Sequence, residues 1–496
     1  MSDFIISIDQ GTSSTRAVLF NSKGKVFGIA QTEFAQIYPQ PGYVEHDPIE
    51  ILNSTYKVLE EILEHDSLKG SKVLAMGITN QRETVVVWDK STGKPIYNAI
   101  VWQDKRTADI CDDLRASGLA EYTKQSTGLM LDPYFSGTKV AWILDNVEGA
   151  RARAERGELC FGTIDSWLLF NFTGGSVHAT DVSNASRTLL FNIKSMEWDS
   201  KMLNFLRVPR EMLPDVRPSA SIFGQYESKS FGSIPIAAML GDQQSALFGQ
   251  CCFTPGTAKN TYGTGCFMLM NTGTEIPDTP SGLLNTVAWQ IDGVTTYALE
   301  GSVFIAGAAL QWLRDGLEIL DDVAMSSSIA QADSERNPNS SLVVVPAFAG
   351  LGTPHWDMHA RGAIFGLTRD TDRNSIIRAT LESLAFSTQD VLNAMQEDSG
   401  ISLFKLQVDG GASANDYLMQ FQANLLGVSV VRPDLLESTA AGVAFMAALS
   451  IGVITQNELL EIKKIDRTFD PQKSVEWRME RSEAWSNAVG RTLSQP

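Results

Sequence analysis

A run of apolar residues, Phe4-Ile5-Ile6-Ser7-Ile8, stops at the polar stretch Asp9-Gln10-Gly11-Thr12-Ser13-Ser14-Thr15-Arg16 and resumes at Ala17-Val18-Leu19-Phe20. This pattern predicts a tight strand-turn-strand hairpin at the start of the fold. The turn composition narrows what the hairpin can do. Glycine permits close backbone approach, hydroxyls and N–H groups supply donors for phosphate oxygens, and a carboxylate at a strand end can hold hydrated Mg²⁺. Half a chain later, Asn260-Thr261-Tyr262-Gly263-Thr264-Gly265 has the same character. Two such turns suggest two half-sites facing one cleft. The first lacks the G-x-x-x-x-G-K-[ST] spacing of a P-loop, so a Walker-type NTPase is unsupported, while an ordinary polar β-turn stays open as the alternative.

At 496 residues the chain exceeds one ordinary core and predicts two large domains. The punctuation Gly249-Gln250 and Thr254-Pro255-Gly256 places the boundary near 245–255, giving domains 1–250 and 251–496. Lys and Arg number 40 against 58 Asp and Glu, a net charge of −18, which argues against nucleic acid or an anionic membrane as main partner. No segment approaches the roughly 20 apolar residues of a membrane span, so no stable insertion is expected. Met1-Ser2-Asp3 enters strand-like sequence without the charged region or cleavage pattern of a signal peptide. Cys111, Cys160, Cys251, Cys252 and Cys266 are odd in number and form no C-x-x-C pair, which points to a reducing cytoplasm. His355 and His359 have helical i,i+4 spacing, but Pro354 argues against that helix and no cysteine lies near in sequence, so zinc is not expected.

Along the chain, strand-like runs at 74–79, 84–88, 234–240, 342–345 and 406–408 alternate with helical ones at 49–63, 303–314, 375–395 and 440–449. This is α/β organisation. Turn signals at Lys23-Gly24 and Ser91-Thr92-Gly93-Lys94-Pro95 predict that part of the sheet is antiparallel.

Several polar groups interrupt these elements. Gly241-Asp242-Gln243-Gln244 follows an apolar strand and opens a helix, so Asp242 reads either as a helix cap or as a general base protruding from the strand end. Asn80-Gln81-Arg82-Glu83 separates two apolar strands. It reads either as solvated hairpin polarity or as a set of donors and an acceptor for a small polyol, whose hydroxyls both donate and accept. Trp102 and Phe267 then serve as core residues or as walls against a carbon skeleton. Val408-Asp409-Gly410-Gly411-Ala412-Ser413-Ala414-Asn415 is a third strand-to-helix turn, either a crossover capped by Asn415 or a close backbone approach to a flat ligand. A nicotinamide-dependent dehydrogenase is disfavoured because the first strand is followed by Asp9-Gln10-Gly11-Thr12 rather than G-x-G-x-x-G.

Taken in order, DQGTSSTRAV at 9–18, GYVEHDP at 42–48, GITNQRET at 77–84, NAIVWQ at 98–103, DPYFSGTKVAWILD at 132–145, GDQQSALFGQ at 241–250, KNTYGTGCFMLMNTG at 259–273, YALEGSVFIAGAALQWLRD at 297–315 and VDGGASAN at 408–415 resemble the glycerol-phosphorylating members of the FGGY carbohydrate kinase family. The resemblance implies two actin-hexokinase-like (ribonuclease H-like) domains, mixed sheets flanked by helices, and an active site in the interdomain cleft. It implies ATP-dependent phosphorylation of glycerol, with Asp242 as base and with Arg82, Glu83, Tyr134, Asp242 and Gln243 bonded to glycerol between Trp102 and Phe267. Thr12, Ser13, Ser14, Arg16 and Thr264 would contact the nucleotide phosphates, Gly307, Gln311, Gly411 and Asn415 the adenosine side, and Asp9 Mg²⁺ through water. Homodimers or homotetramers are expected on the same ground. The alternatives are a kinase of another short polyol or ketose, and a non-catalytic actin-like nucleotide clamp.

Overall fold

The hairpin expected at the start of the chain is present: strand Asp3–Gln10 runs antiparallel to strand Ser14–Asn21, with Asp9 opposite Arg16. The structure, a computed structural model, describes residues 3–434 and 437–494. Met1 and Ser2, part of the sequence on which the reading of no leader rests, lie outside the described residues. The chain forms two compact units. The first holds the chain up to Cys251 together with Asn285–Tyr297 and Glu437–Lys463; the second holds the other described residues. Two segments that a division at residue 250 assigns to the second half therefore pack with the first.

The first unit is built on a six-stranded mixed sheet, in the order Ala220–Ser228, Gly232–Gly241, Lys72–Asn80, Asp3–Gln10, Ser14–Asn21, Val26–Glu33. Its three central strands are parallel, and their registers pair Gln10 with Asn80 and Asn80 with Gly241. The C-terminal ends of these strands therefore lie side by side, each releasing a polar segment at the same sheet edge. That is where open α/β sheets expose their ligand-binding loops. The outer hairpins are antiparallel, and the one between Ser14–Asn21 and Val26–Glu33 turns at the predicted Lys23-Gly24. The turn predicted at 91–95 instead follows Val86–Asp89, which lies outside this sheet and pairs with Leu159–Gly162. Alternation along the first strand sends Phe4, Ile6 and Ile8 into one core with Leu19, Ile51, Val58, Ile62 and Trp167. Helix Pro48–Leu63 starts on Asp47, whose carboxylate accepts the Ile49 N–H at 2.8 Å.

The returning helix Ser438–Ser450 crosses helix Asp242–Gly249 closely because Gly442 has no side chain: a Cβ there would overlap the Ser245 carbonyl. Its buried alanines and Val443 explain why this segment joins the first unit despite its place in the chain.

In the second unit, neighbouring strands run in the order Cys266–Gly273, Thr257–Tyr262, Lys405–Gly410, Val430–Pro433, Ile465–Phe469. Thr257–Tyr262 is parallel to Lys405–Gly410 and pairs Tyr262 with Gly410. The long helix Arg373–Ser399 is capped by Asp372 and covers this core, with Phe386 stacked on Trp485 at 5.1 Å. The helix expected from Val303 begins instead at Gly307. Val303 ends a ten-residue strand, Val294–Val303, because the apolar run there continues the strand rather than a helical face. No helix among the described residues is long and apolar enough to cross a membrane.

Candidate functional site

The polar run Asn80–Glu83 is buried rather than solvated: Asn80, Gln81, Arg82 and Glu83 are 0, 1, 3 and 1% exposed. This removes the hairpin-polarity reading. Buried polar groups are retained where they are partnered, and each of these side chains is held. Gln81 donates to Gln10 Oε1 and to the Gly11 carbonyl, both at 3.1 Å, and accepts from Thr84 at 2.9 Å. Arg82 Nε lies 3.2 Å from Asp242 Oδ1 and 3.8 Å from Glu83 Oε1. Its terminal nitrogens point to Gln244 Oε1 and the Tyr134 hydroxyl, both at 3.4 Å. Glu83 takes a bond from Arg187 Nε at 2.6 Å, and its carbonyl one from Ser136 at 2.9 Å. Its backbone adopts φ +62°, a left-handed conformation costing a non-glycine residue about 1–3 kcal/mol.

Asp242 is the first residue of helix Asp242–Gly249, immediately after the strand ending at Gly241. Its Oδ1 accepts the Gln243 N–H at 2.7 Å, and its side chain is 29% exposed. Gly241, not Asp242, is the N-cap of this helix and no side chain caps it, so the helix-cap reading of Asp242 does not hold. Gly241 is required here: a Cβ would stand 2.8 Å from Arg82 Cγ and Cδ. Beside these groups Trp102 meets Tyr134 edge to face at 5.5 Å, and neither ring is part of the fully buried core. The indole N–H of Trp102 donates to Thr12 Oγ1 at 3.0 Å.

This last bond joins the cluster around Arg82 and Tyr134 to the turn after the first strand. Thr12 and Ser13 lie in the turn between the first two strands and Ser14 opens the second; the turn is closed by the Gly11 N–H on the Ser14 carbonyl at 2.9 Å. Arg16 is engaged by Glu437 at 2.8 Å and by Gln31 at 2.9 Å, but it is one-third exposed, so an incoming anion can compete for it. Asp9 stands behind the turn. Burial pushes its carboxyl up to about 7, against the pull of Arg16 and with Asp242 and Glu437 adding to the rise. A single carboxylate at a strand end can contribute one oxygen ligand to a hard dication. Among the described residues, however, no three His, Cys, Asp or Glu side chains form a complete metal cage, so Mg²⁺ would depend on Asp9, water and phosphate oxygens.

Several participants carry no motif signal of their own. His46 bonds Gln36 at 2.7 Å and stands 3.4 Å from Gln81, while Gln36 donates to the Thr12 carbonyl at 3.0 Å. Burial lowers the His46 imidazole to about 4, so it is neutral here. Lys139, fully buried and lowered by that burial to about 8, bonds the carbonyls of Pro133 and Tyr134 and so holds the loop carrying the Tyr134 ring. Asp181 accepts from Ser183 and Ser219, and Ser183 in turn takes the Gly241 N–H at 2.9 Å, just before Asp242. The polar run around Gln81, the motif GYVEHDP containing His46 and the motif DPYFSGTKVAWILD containing Lys139 marked some of these in the sequence; Gln36, Asp181, Ser183 and Ser219 had no such signal.

In the second unit, the register of Tyr262 with Gly410 sets the Gly263–Gly265 turn beside Gly410-Gly411 at one sheet end. The Thr264 carbonyl accepts the Ala306 N–H at 2.8 Å, and the Gly263 carbonyl accepts that of Gly307 at 3.0 Å. Thr264, Gly307 and Gly411 are thereby gathered, with open space where a Gly411 Cβ would be. Gln311 is exposed at the end of helix Gly307–Gln311. Asn415 caps helix Asp416–Leu426 through Leu418 N–H at 3.0 Å and donates to Ser326 at 3.0 Å. Phe267 is half-buried on strand Cys266–Gly273.

Residues 4–249 match the FGGY family of carbohydrate kinases, N-terminal domain, and residues 258–451 the C-terminal domain of that family. The chain is 56% identical over 495 residues to a glycerol kinase of Caldanaerobacter subterraneus subsp. tengcongensis, covering 99% of both chains. It is 53% identical over 492 residues to glycerol kinase 2 of Thermotoga maritima, again over 99% of both. Among solved structures, Plasmodium falciparum glycerol kinase with ADP superposes with a TM-score of 0.95 at 35% identity, covering 100% of this chain and 99% of that one.

Proposed function

The chain belongs to the FGGY family of carbohydrate kinases, and from that premise we propose that it transfers the γ-phosphoryl group of ATP to a terminal hydroxyl of glycerol, giving glycerol 3-phosphate and ADP. The observation that carries the reading is the alignment of three parallel strand ends in the first unit. It brings Asp242, Arg82 and Glu83 beside the Thr12–Ser14 turn. Its relatives named glycerol kinase support the same substrate.

In this mechanism Arg82 and the Tyr134 hydroxyl donate to glycerol oxygens, and Glu83 accepts from a hydroxyl. Gln243 supplies a further amide. Trp102 and Phe267 serve as apolar walls for the carbon skeleton. The Asp242 carboxylate takes the proton of the attacking hydroxyl as its oxygen bonds to the γ-phosphorus, and the bond from that phosphorus to the β,γ-bridging oxygen breaks, releasing ADP. Thr12, Ser13, Ser14, Arg16 and Thr264 hold phosphate oxygens through hydroxyl, N–H and guanidinium donors. Gly307, Gln311, Gly411 and Asn415 hold the adenosine portion. Asp9, together with water and phosphate oxygens, would hold Mg²⁺, which would supply charge neutralisation. The reading requires nucleotide carried by the second unit to reach Asp242 of the first. It also places the reaction in the cytoplasm, by a homodimer or homotetramer.

A coupled ADP-release assay with and without glycerol, followed by product identification, tests this. Glycerol-dependent release of ADP with glycerol 3-phosphate formed is expected. ATP hydrolysis indifferent to glycerol, or a clear preference for dihydroxyacetone, xylulose or erythritol, overturns it.

A further inference from the structure

We propose that Arg187 is a positioning residue for the polyol site: it holds the Glu83 carboxylate as an acceptor and so leaves Arg82 for Asp242 and the substrate. The inference rests on the reading of Glu83 as a glycerol ligand. Four charged groups alternate in sign along one row, Asp242, Arg82, Glu83 and Arg187. The same carboxylate oxygen, Glu83 Oε1, is 2.6 Å from Arg187 Nε but 3.8 Å from Arg82 Nε. Arg187 therefore makes the strong bond, and Arg82 leans to Asp242 at 3.2 Å. Without Arg187 the buried Glu83 carboxylate would draw Arg82 onto itself, turning donors away from a ligand.

The surroundings fit that task. Arg187 is fully buried, and its guanidinium carbon stands 5.3 Å from the Phe135 ring centroid and 5.8 Å from that of Tyr134. A planar guanidinium can serve a carboxylate along its edge while its face rests on rings, which an ammonium cannot. Its backbone is fixed on both sides. The Arg187 N–H closes onto the Asn184 carbonyl at 3.0 Å, and the Thr188 carbonyl accepts the Gly137 N–H at 2.7 Å, next to the Ser136 that holds the Glu83 carbonyl. Asn184 Oδ1 accepts from Asn80 Nδ2 at 3.1 Å, tying the same segment to the strand end that leads to Arg82.

The test is a double-mutant cycle on the full chain: wild type, R187M, E83Q and E83Q/R187M, with R187K as the conservative variant. Glycerol KM and kcat are read by ADP release and folding by thermal melting. Wild-type protein inactive toward glycerol would defeat the functional reading itself, independently of the cycle. With wild-type activity in hand, R187M is expected to raise glycerol KM about 10- to 100-fold, the usual cost of removing a group that orients a ligand, with kcat changed less. In the E83Q background the same substitution should move KM less than about threefold. R187K should recover part of the loss. Equal KM losses in both backgrounds, or an unchanged KM in folded R187M, overturn the proposal. If R187M does not fold, the cycle is run with R187K, and the same non-additivity or its absence decides.

Discussion

Arg82 Nε stands 3.2 Å from Asp242 Oδ1, with the arginine side chain 2% and the aspartate side chain 29% exposed. One partner is locked in the protein and the other looks out, which suits an anchored donor next to a carboxylate that must meet an incoming hydroxyl. Replacing Asp242 with Asn keeps the shape and removes the proton acceptor. Asp242→Asn is expected to lower kcat by about 10²- to 10⁴-fold while glycerol binding and melting temperature are retained. Near-normal turnover in this variant would eliminate Asp242 as the base.

Gly241 is the hinge of that pair. A methyl group there meets Arg82 Cγ and Cδ at 2.8 Å and Gln244 Oε1 at 2.9 Å, all on buried side chains. Gly241→Ala should therefore displace Arg82, cost about 1–3 kcal/mol by overpacking and raise glycerol KM. Steady-state kinetics beside a thermal melt measures both; an unchanged KM would mean that Arg82 does not need its observed place.

Asp9 titrates near neutrality, its carboxyl pushed up to about 7 chiefly by burial. It is mostly neutral below that pH, and a bound dication favours the ionised form. Binding of Mg²⁺ with nucleotide should then release about half a proton at pH 7 and almost none by pH 8.5. Calorimetry in two buffers of different ionisation enthalpy reads this release, and Asp9→Asn should abolish it. Identical heats in the two buffers at pH 6.5 would count against Asp9 as the metal-linked group.

His46 and His178 each make the folded state less favourable in acid, for a traceable reason. Burial lowers both His46 and His178 to about 4, below the unfolded value near 6.5. A depressed histidine contributes stability that is complete above about 6.5 and is lost as pH falls through about 4, at most about 3 kcal/mol for each. Asp9 and Asp165, raised by burial to about 7 and about 6, act oppositely and lose their contributions as pH rises from about 4 through those values. Melting temperature measured from pH 7 to 4 should drop less steeply in His46→Gln, whose amide can replace both imidazole bonds. A parallel decline in both proteins would show that His46 is not responsible.

The hairpin at Asp9–Arg16, the α/β alternation and the ordered motifs were legible in the sequence because they depend on local periodicity, turn chemistry and long colinear matches. The family followed from those matches. The sequence could not decide whether Arg82 and Glu83 were solvated, since a hairpin tip and a buried ligand site use the same polar residues; the strand register, which sets Gln10, Asn80 and Gly241 side by side, decided it. Nor could it connect Arg187 to Glu83, 104 positions apart, or draw Glu437 toward Arg16, 421 positions away. Such pairs have no period and no local propensity. They exist only because burial makes an unpaired charge costly and packing brings the partner within reach.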